Sequence, residues 1–148
     1  MAVFKVLFLI VVGMFISSCQ TTQGVVLSET PLAIRSTRIA ISAALGEPRV
    51  ISQNGREIST HFHDRKFKLL DITPKTQERL YTKVLILGAR RPYDLAIEVH
   101  IEQRDPDSKN FHDIGIDEKL SVLQARQVQQ ALNQSRDKPV VIDEGAPF

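Results

Sequence analysis

Leu80-Tyr81-Thr82-Lys83-Val84-Leu85-Ile86-Leu87-Gly88-Ala89-Arg90-Arg91-Pro92-Tyr93-Asp94-Leu95-Ala96-Ile97-Glu98-Val99-His100-Ile101-Glu102 is the stretch that decides the fold. In its second half Leu95, Ile97, Val99 and Ile101 alternate with Ala96, Glu98, His100 and Glu102. A period of two places one set against a core and the other against water, as in an antiparallel strand buried on one side. The first half, Leu80 to Leu87, begins mixed and ends wholly apolar at Val84-Leu85-Ile86-Leu87. Gly88 to Pro92 holds the turn residues that reverse the chain. Two adjacent strands at the centre of a sheet follow from this pattern.

Toward the N-terminus, Gln53-Asn54-Gly55-Arg56 separates Arg49–Ser52 from Glu57–His63. Asn-Gly between β-compatible runs predicts a hairpin, because both residues tolerate positive φ. Arg65 to Pro74 reads as a loop or irregular edge. Ile34 to Leu45 carries two patterns. Ile39, Ile41 and Ala43 alternate as in a strand, while Ile34, Ile41 and Leu45 share a helical stripe that Gly46 and Pro48 would end. Its β-branched content tips the expectation to strand.

Toward the C-terminus, Asp105 to Asn110 is an exposed polar loop. Asp117 is placed to cap a helix running to about Ser135, with Leu120, Leu123, Val128, Ala131 and Leu132 as its apolar stripe. Pro139 stops it, and Val140-Val141-Ile142 reads as a short final strand. The expected architecture is one α+β domain over residues 32–148, a mostly antiparallel β-sheet with one C-terminal amphipathic helix packed on it.

The 148 residues are 43% hydrophobic and 24% charged, an ordinary globular profile sufficient for one core. Basic and acidic residues number 19 and 17, too even a balance for a nucleic-acid binder, which needs a concentrated basic excess. There is no tryptophan and aromatics are 6%, too few for broad stacking platforms. With one cysteine no intramolecular disulfide forms, so stability rests on the core.

That cysteine has a specific setting. Lys5 precedes a nearly unbroken apolar run, Val6 to Ile16, whose helical length of roughly 17 Å falls short of a ~30 Å hydrocarbon core. Small residues then lead to the cysteine. Ile16-Ser17-Ser18-Cys19 resembles the lipobox of bacterial lipoproteins, and the resemblance covers only this leader. It implies cleavage before Cys19, thioether lipidation of that thiol, and a membrane anchor of two or three acyl chains, where a single chain would hold only marginally. Residues 1–18 are then a signal peptide and residues 19–31 a lipidated tether that runs into a first extended segment, long enough to stand the domain off the bilayer. Gln20 after the cysteine implies the outer membrane, periplasm-facing, or the outer leaflet of the plasma membrane in a single-membrane organism.

Candidate chemistry is sparse. His61-Phe62-His63-Asp64 would place two imidazoles on one strand face, with Phe62 toward the core and His100 as an outside third ligand for a transition metal. The plainer reading is a solvated polar face, and no metal or other cofactor is expected. Glu98, His100 and Glu102 form an acid–base–acid row, but strict alternation faces it to water, and no catalytic residue is assigned. Asp105, Asp107 and Asp113 fail as a calcium loop, because Lys109 and Asn110 stand where an oxygen ligand and a glycine are needed. Arg65, Lys66 and Lys68 form a basic loop. Arg90, Arg91 and Tyr93 at a hairpin tip are the favoured partner-binding candidates, since arginine and tyrosine recur at binding hot spots, with Asp94 expected to answer one of the arginines. Phe148 does not read as an outer-membrane barrel terminus, since Pro147 breaks the alternation.

Ala44-Leu45-Gly46-Glu47-Pro48, ahead of the predicted hairpin, resembles the helix end and turn of small barrel-assembly lipoproteins of the BamE type. The resemblance implies an assembly or scaffold role. The expected function is therefore a non-enzymatic envelope lipoprotein that binds a membrane through Cys19 and an envelope protein through its surface. The alternatives are a metal-dependent periplasmic enzyme using His61, His63 and His100, and a module binding lipid or cell-wall fragments.

Overall fold

A computed structural model describes residues 24–137 of the chain. The lipobox, Cys19, Phe148 and the final strand expected at residues 140–142 lie outside the described residues. Strands β4 (Glu78–Leu87) and β5 (Tyr93–Arg104) form an unbroken antiparallel ladder, from Glu78 opposite Gln103 to Leu87 opposite Asp94. Along β4, Leu80, Thr82, Val84 and Ile86 are buried, and each faces an apolar residue of β5: Ile101, Val99, Ile97 and Leu95. The intervening residues, Arg79, Tyr81, Lys83 and Leu85, lie on the second face of the sheet.

Four further strands attach to this pair. β3 (Glu57–Thr60) borders β4, and β2 (Pro48–Ile51) ends the sheet on that side. On the other side β1 (Val25–Thr30) and β6 (Phe111–Ile116) share the remaining edge of β5, against Tyr93–Ile97 and His100–Arg104 respectively. Val99 falls between the two. Its N–H donates to Ser121 Oγ at 2.9 Å and its carbonyl accepts the Asp117 N–H at 2.9 Å, so the following helix supplies what neither strand reaches.

That helix, α2 (Glu118–Asp137), starts as the sequence predicts: Asp117 Oδ1 accepts the Leu120 N–H at 3.0 Å. Ser121, Gln124, Ala125, Val128 and Leu132 form its buried stripe. Helix α1 (Ile34–Leu45) lies beside it on the same face of the sheet. The described residues form an α+β sandwich of a six-stranded antiparallel sheet and one helical layer. Ile41, Leu95, Ile97 and Val128 are 0% exposed, each contributing about 1.5–3 kcal/mol of burial.

The fold departs from the sequence reading in three places. Ile34–Leu45 is a helix, not a strand. Ala40 and Ile41 are buried consecutively while Ile39 is 62% exposed, a pattern that tertiary burial imposes over local β propensity. Gly46, at φ 86°, ends it with its N–H on Ser42 O, a conformation glycine adopts without strain. The extended segment expected at the end of the tether is β1, which joins the sheet from Val25, ahead of the expected domain start at residue 32, because Val25 and Leu27 pack against the core opposite Ile97 and Leu95. Finally, β6 is a strand the sequence does not announce. It owes its place to pairing with the far half of β5, its own burial being slight. The Asn-Gly hairpin forms as expected, with Gly55 at φ 68° and the Ser52 N–H on Glu57 O at 2.9 Å.

The helical periodicity of α1 has a direct consequence for stability. Ile41→Ala should cost about 2–5 kcal/mol in urea unfolding through cavity formation. Ile39→Ala should cost well under about 1 kcal/mol, as for an exposed site. Comparable losses at the two positions would refute the assigned face.

Candidate functional site

The second face of the sheet concentrates the polar residues that the alternation of β5 sends there. Across its far end runs an alternating stack. The Arg49 guanidinium lies 4.3 Å from the Phe62 ring centre, Arg79 lies 3.8 Å from Phe62 and 4.0 Å from Phe111, and Arg104 lies 4.7 Å from Phe111. Each ring face takes a cation on either side. Arg79 Nε also donates to Glu102 Oε2, and Arg104 donates to the carbonyls of Thr73 and Pro74, tying down the long β3–β4 connection.

Next to the stack, Tyr81 meets Phe62 edge-on at 6.0 Å and lies flat on His100 at 5.0 Å. Burial and the nearby Asp113 carboxylate push the Tyr81 phenol above its usual range, so it stays neutral. His100 Nδ1 is 2.6 Å from Asp113 Oδ2 and its Nε2 is 3.2 Å from Glu98 Oε2. Of the expected acid–base–acid row, Glu98 does reach His100. Glu102 is taken by Arg79, and Asp113 of β6 stands in its place. With both ring nitrogens engaged, His100 works as a clamp between β5 and β6.

His61 and His63 do not share a strand face as expected. β3 ends at Thr60, and between Ser59 opposite Lys83 and His63 opposite Leu80 the chain uses four steps where β4 uses three. This bulge turns His63 inward, 7% exposed, and leaves His61 outside. It also turns Phe62 away from the helical core, into the arginine stack. Thr60 Oγ1 takes the Thr82 N–H at 2.9 Å, repairing the ladder at the bulge. His63 Nδ1 donates to the Asp64 carbonyl at 2.9 Å and Nε2 lies 3.3 Å from Thr82 Oγ1, the pattern of a neutral imidazole. Burial holds it below its ordinary range. Both histidines border a depression of about 340 Å³ with Glu47, Phe67 and Leu69. His100 lies on the opposite face of the sheet, so the three do not converge. Among the described residues no group of three His, Cys, Asp or Glu is placed to hold a metal ion.

The hairpin-tip trio also separates. Arg90 and Arg91 are exposed in the β4–β5 loop, but Tyr93 is 8% exposed within the core. The inward parity it shares with Leu95 and Ile97 explains this. Asp94 accepts the Glu29 N–H at 3.1 Å, and no ion pair to Arg90 or Arg91 occurs among the described residues. In the basic loop, Arg65 pairs with both Glu78 and Asp117.

One site escapes the sequence reading altogether. Helix α1 and strand β2 enclose a groove of about 550 Å³ lined by Arg35, Arg38, Ile39, Ser42, Ile51 and Ile58. The four helical residues are spaced i, i+3, i+4 and i+7, so they form a single stripe beside the one that packs on the sheet. Ile39 and Ile51 are 62% and 38% exposed. Arg35 makes no ion pair among the described residues. The Arg38 side chain lies over Gly55, where a Cβ would sit 3.1 Å from Nη1, and its buried Nε has no hydrogen-bond partner. The available signal was Ile39, an aliphatic residue off the core stripe and flanked by arginines.

Two outcomes test this geometry. The unfolded chain takes up a proton on His63 that the folded chain resists, so this contribution is complete above about pH 7 and is lost as pH falls through the imidazole range. Urea midpoints should therefore decline between about pH 7 and 5, and less steeply in His63→Gln; parallel profiles would remove His63 as the source. Arg79→Met leaves Glu102 unpaired and breaks the middle of the stack, with an expected loss of about 2–4 kcal/mol. Adding Glu102→Gln should restore part of it in a double-mutant cycle.

No protein-family model matches the chain, and neither the curated proteins nor the solved structures include one significantly similar to it.

Proposed function

We propose that the chain is a membrane-anchored envelope lipoprotein whose domain is a non-enzymatic binding module, with the α1–β2 groove as its contact surface. The anchor rests on the lipobox resemblance at Ile16-Ser17-Ser18-Cys19 and on the chain having no other cysteine. The outer membrane, facing the periplasm, is the location Gln20 favours. Among the described residues no helix is long and apolar enough to cross a membrane.

The observation that carries the binding role is the contrast between the two surfaces. On the second face of the sheet the charged groups already answer one another, Arg79 with Glu102 and Lys83 with Glu57, and Glu98 and Asp113 are hydrogen-bonded to His100. In the groove, exposed aliphatic side chains adjoin guanidinium groups that nothing described answers. Contiguous apolar surface rimmed by unanswered charge is the signature of a contact site. Arg90 and Arg91 remain as an accessory contact, without Tyr93.

The rival reading is a metal-dependent enzyme at the depression beside His61 and His63. Both nitrogens of His63 are engaged by the protein, which weighs against it, and stoichiometric metal in purified protein would revive it.

The test is capture from cross-linked, detergent-solubilised envelopes with tagged full-length chain. A defined partner should be recovered with wild type, and lost with Cys19→Ser and with Ile39→Lys, a substitution at an exposed site that leaves the core intact. Recovery that ignores Ile39→Lys would dismiss the groove, and recovery that ignores Cys19→Ser would dismiss the anchor.

A further inference from the structure

The groove has one wall of a special kind. Among the described residues β2 is the last strand on its side of the sheet and pairs only with β3. Its outer row of backbone N–H and C=O groups therefore lies open beside the helix. Pro48, which has no N–H, shields the start of this edge, while Val50 and Ile51 leave its second half open and apolar. The Arg35–Ser42 stripe of α1 lines the same groove as Ile51, with Ile39 as its most exposed apolar side chain.

We propose that the groove takes an extended segment of a partner protein, rich in aliphatic and acidic residues, that adds as a strand to the free edge of β2. The proposal rests on the groove being the contact surface and specifies what it holds. Backbone hydrogen bonds to β2 supply affinity regardless of sequence, and side chains on alternate positions supply selectivity. Inward-pointing aliphatic groups of the segment meet Ile39, Ile51 and Ile58. A carboxylate on the segment meets Arg35, which no described acidic residue pairs. The same charges argue against a second copy of this chain as the occupant. Edge-to-edge pairing of two β2 strands would bring the Arg35 and Arg38 guanidiniums of each copy toward those of the other, and like charges repel.

The test uses the full-length chain in detergent micelles and a capped, fluorescently labelled hexapeptide alternating valine and glutamate. Matched probes carry lysine in place of glutamate, or N-methyl groups along one edge of the backbone. The acidic probe should bind and slow amide hydrogen exchange in residues 49–52. The N-methylated probe should fail, and Arg35→Glu should weaken the acidic probe by roughly tenfold, the scale of an interfacial charge pair. Equal binding of the acidic and lysine probes, unchanged exchange in β2, or no binding at all would overturn the proposal. So would a concentration-dependent dimer protected at the same residues. If envelope capture is sensitive to Ile39→Lys while the probe does not bind, the strand proposal falls and the binding function stands. If capture ignores Ile39→Lys, both fall.

Discussion

The register between β4 and β5 is the constraint from which the rest of the molecule hangs. Side chains alternate across a strand, so a slip of one residue would exchange Leu80, Thr82, Val84 and Ile86 for Arg79, Tyr81, Lys83 and Leu85 under the helices. Three arrangements depend on it. β1 and β6 find their places along the opposite edge of β5, the start of α2 docks on the backbone of Val99 between them, and the arginines and aromatics of the second face come into stacking distance. A bulge in the neighbouring β3 segment is tolerated because Thr60 and His63 both bond to β4 around it.

How far the sequence could be read follows from where each signal resides. The β4–β5 pair, the Gly55 turn and the Asp117 cap were legible because periodicity, turn chemistry and capping are local. Helix α1 was not. Its Ile39 and Ile41 satisfy a strand pattern equally well, and only the packing of Ala40 and Ile41 together under the sheet decides between them. β6 was hidden because Phe111 to Ile116 buries little of its own. The histidines misled for a related reason: a single inserted residue inverts the facing of everything beyond it, and no residue type marks that insertion. The groove was illegible because its walls are a helix flank and a strand edge that only the fold brings together.

The two faces of the domain use arginine in different ways. Arg49, Arg79 and Arg104 are spread flat over phenylalanine rings and braced by carboxylates or carbonyls, so their charge is absorbed into the architecture. Arg35 and Arg38 stand over aliphatic surface instead. Near neutrality of the whole chain therefore conceals a local imbalance. The evenly matched totals of basic and acidic residues describe the paired face well and the groove not at all.

Because β1 begins at Val25, the sheet claims residues that would otherwise be free spacer. Only five peptide steps separate Cys19 from Gly24, a reach of at most about 18 Å even when fully drawn out. With Cys19 anchored as proposed, the domain is on a leash shorter than its own width. It explores a thin layer hugging the bilayer, and its local concentration in that layer is correspondingly high. A partner that meets it there must itself come down to the membrane surface, and one that spans the compartment at a distance would never be met.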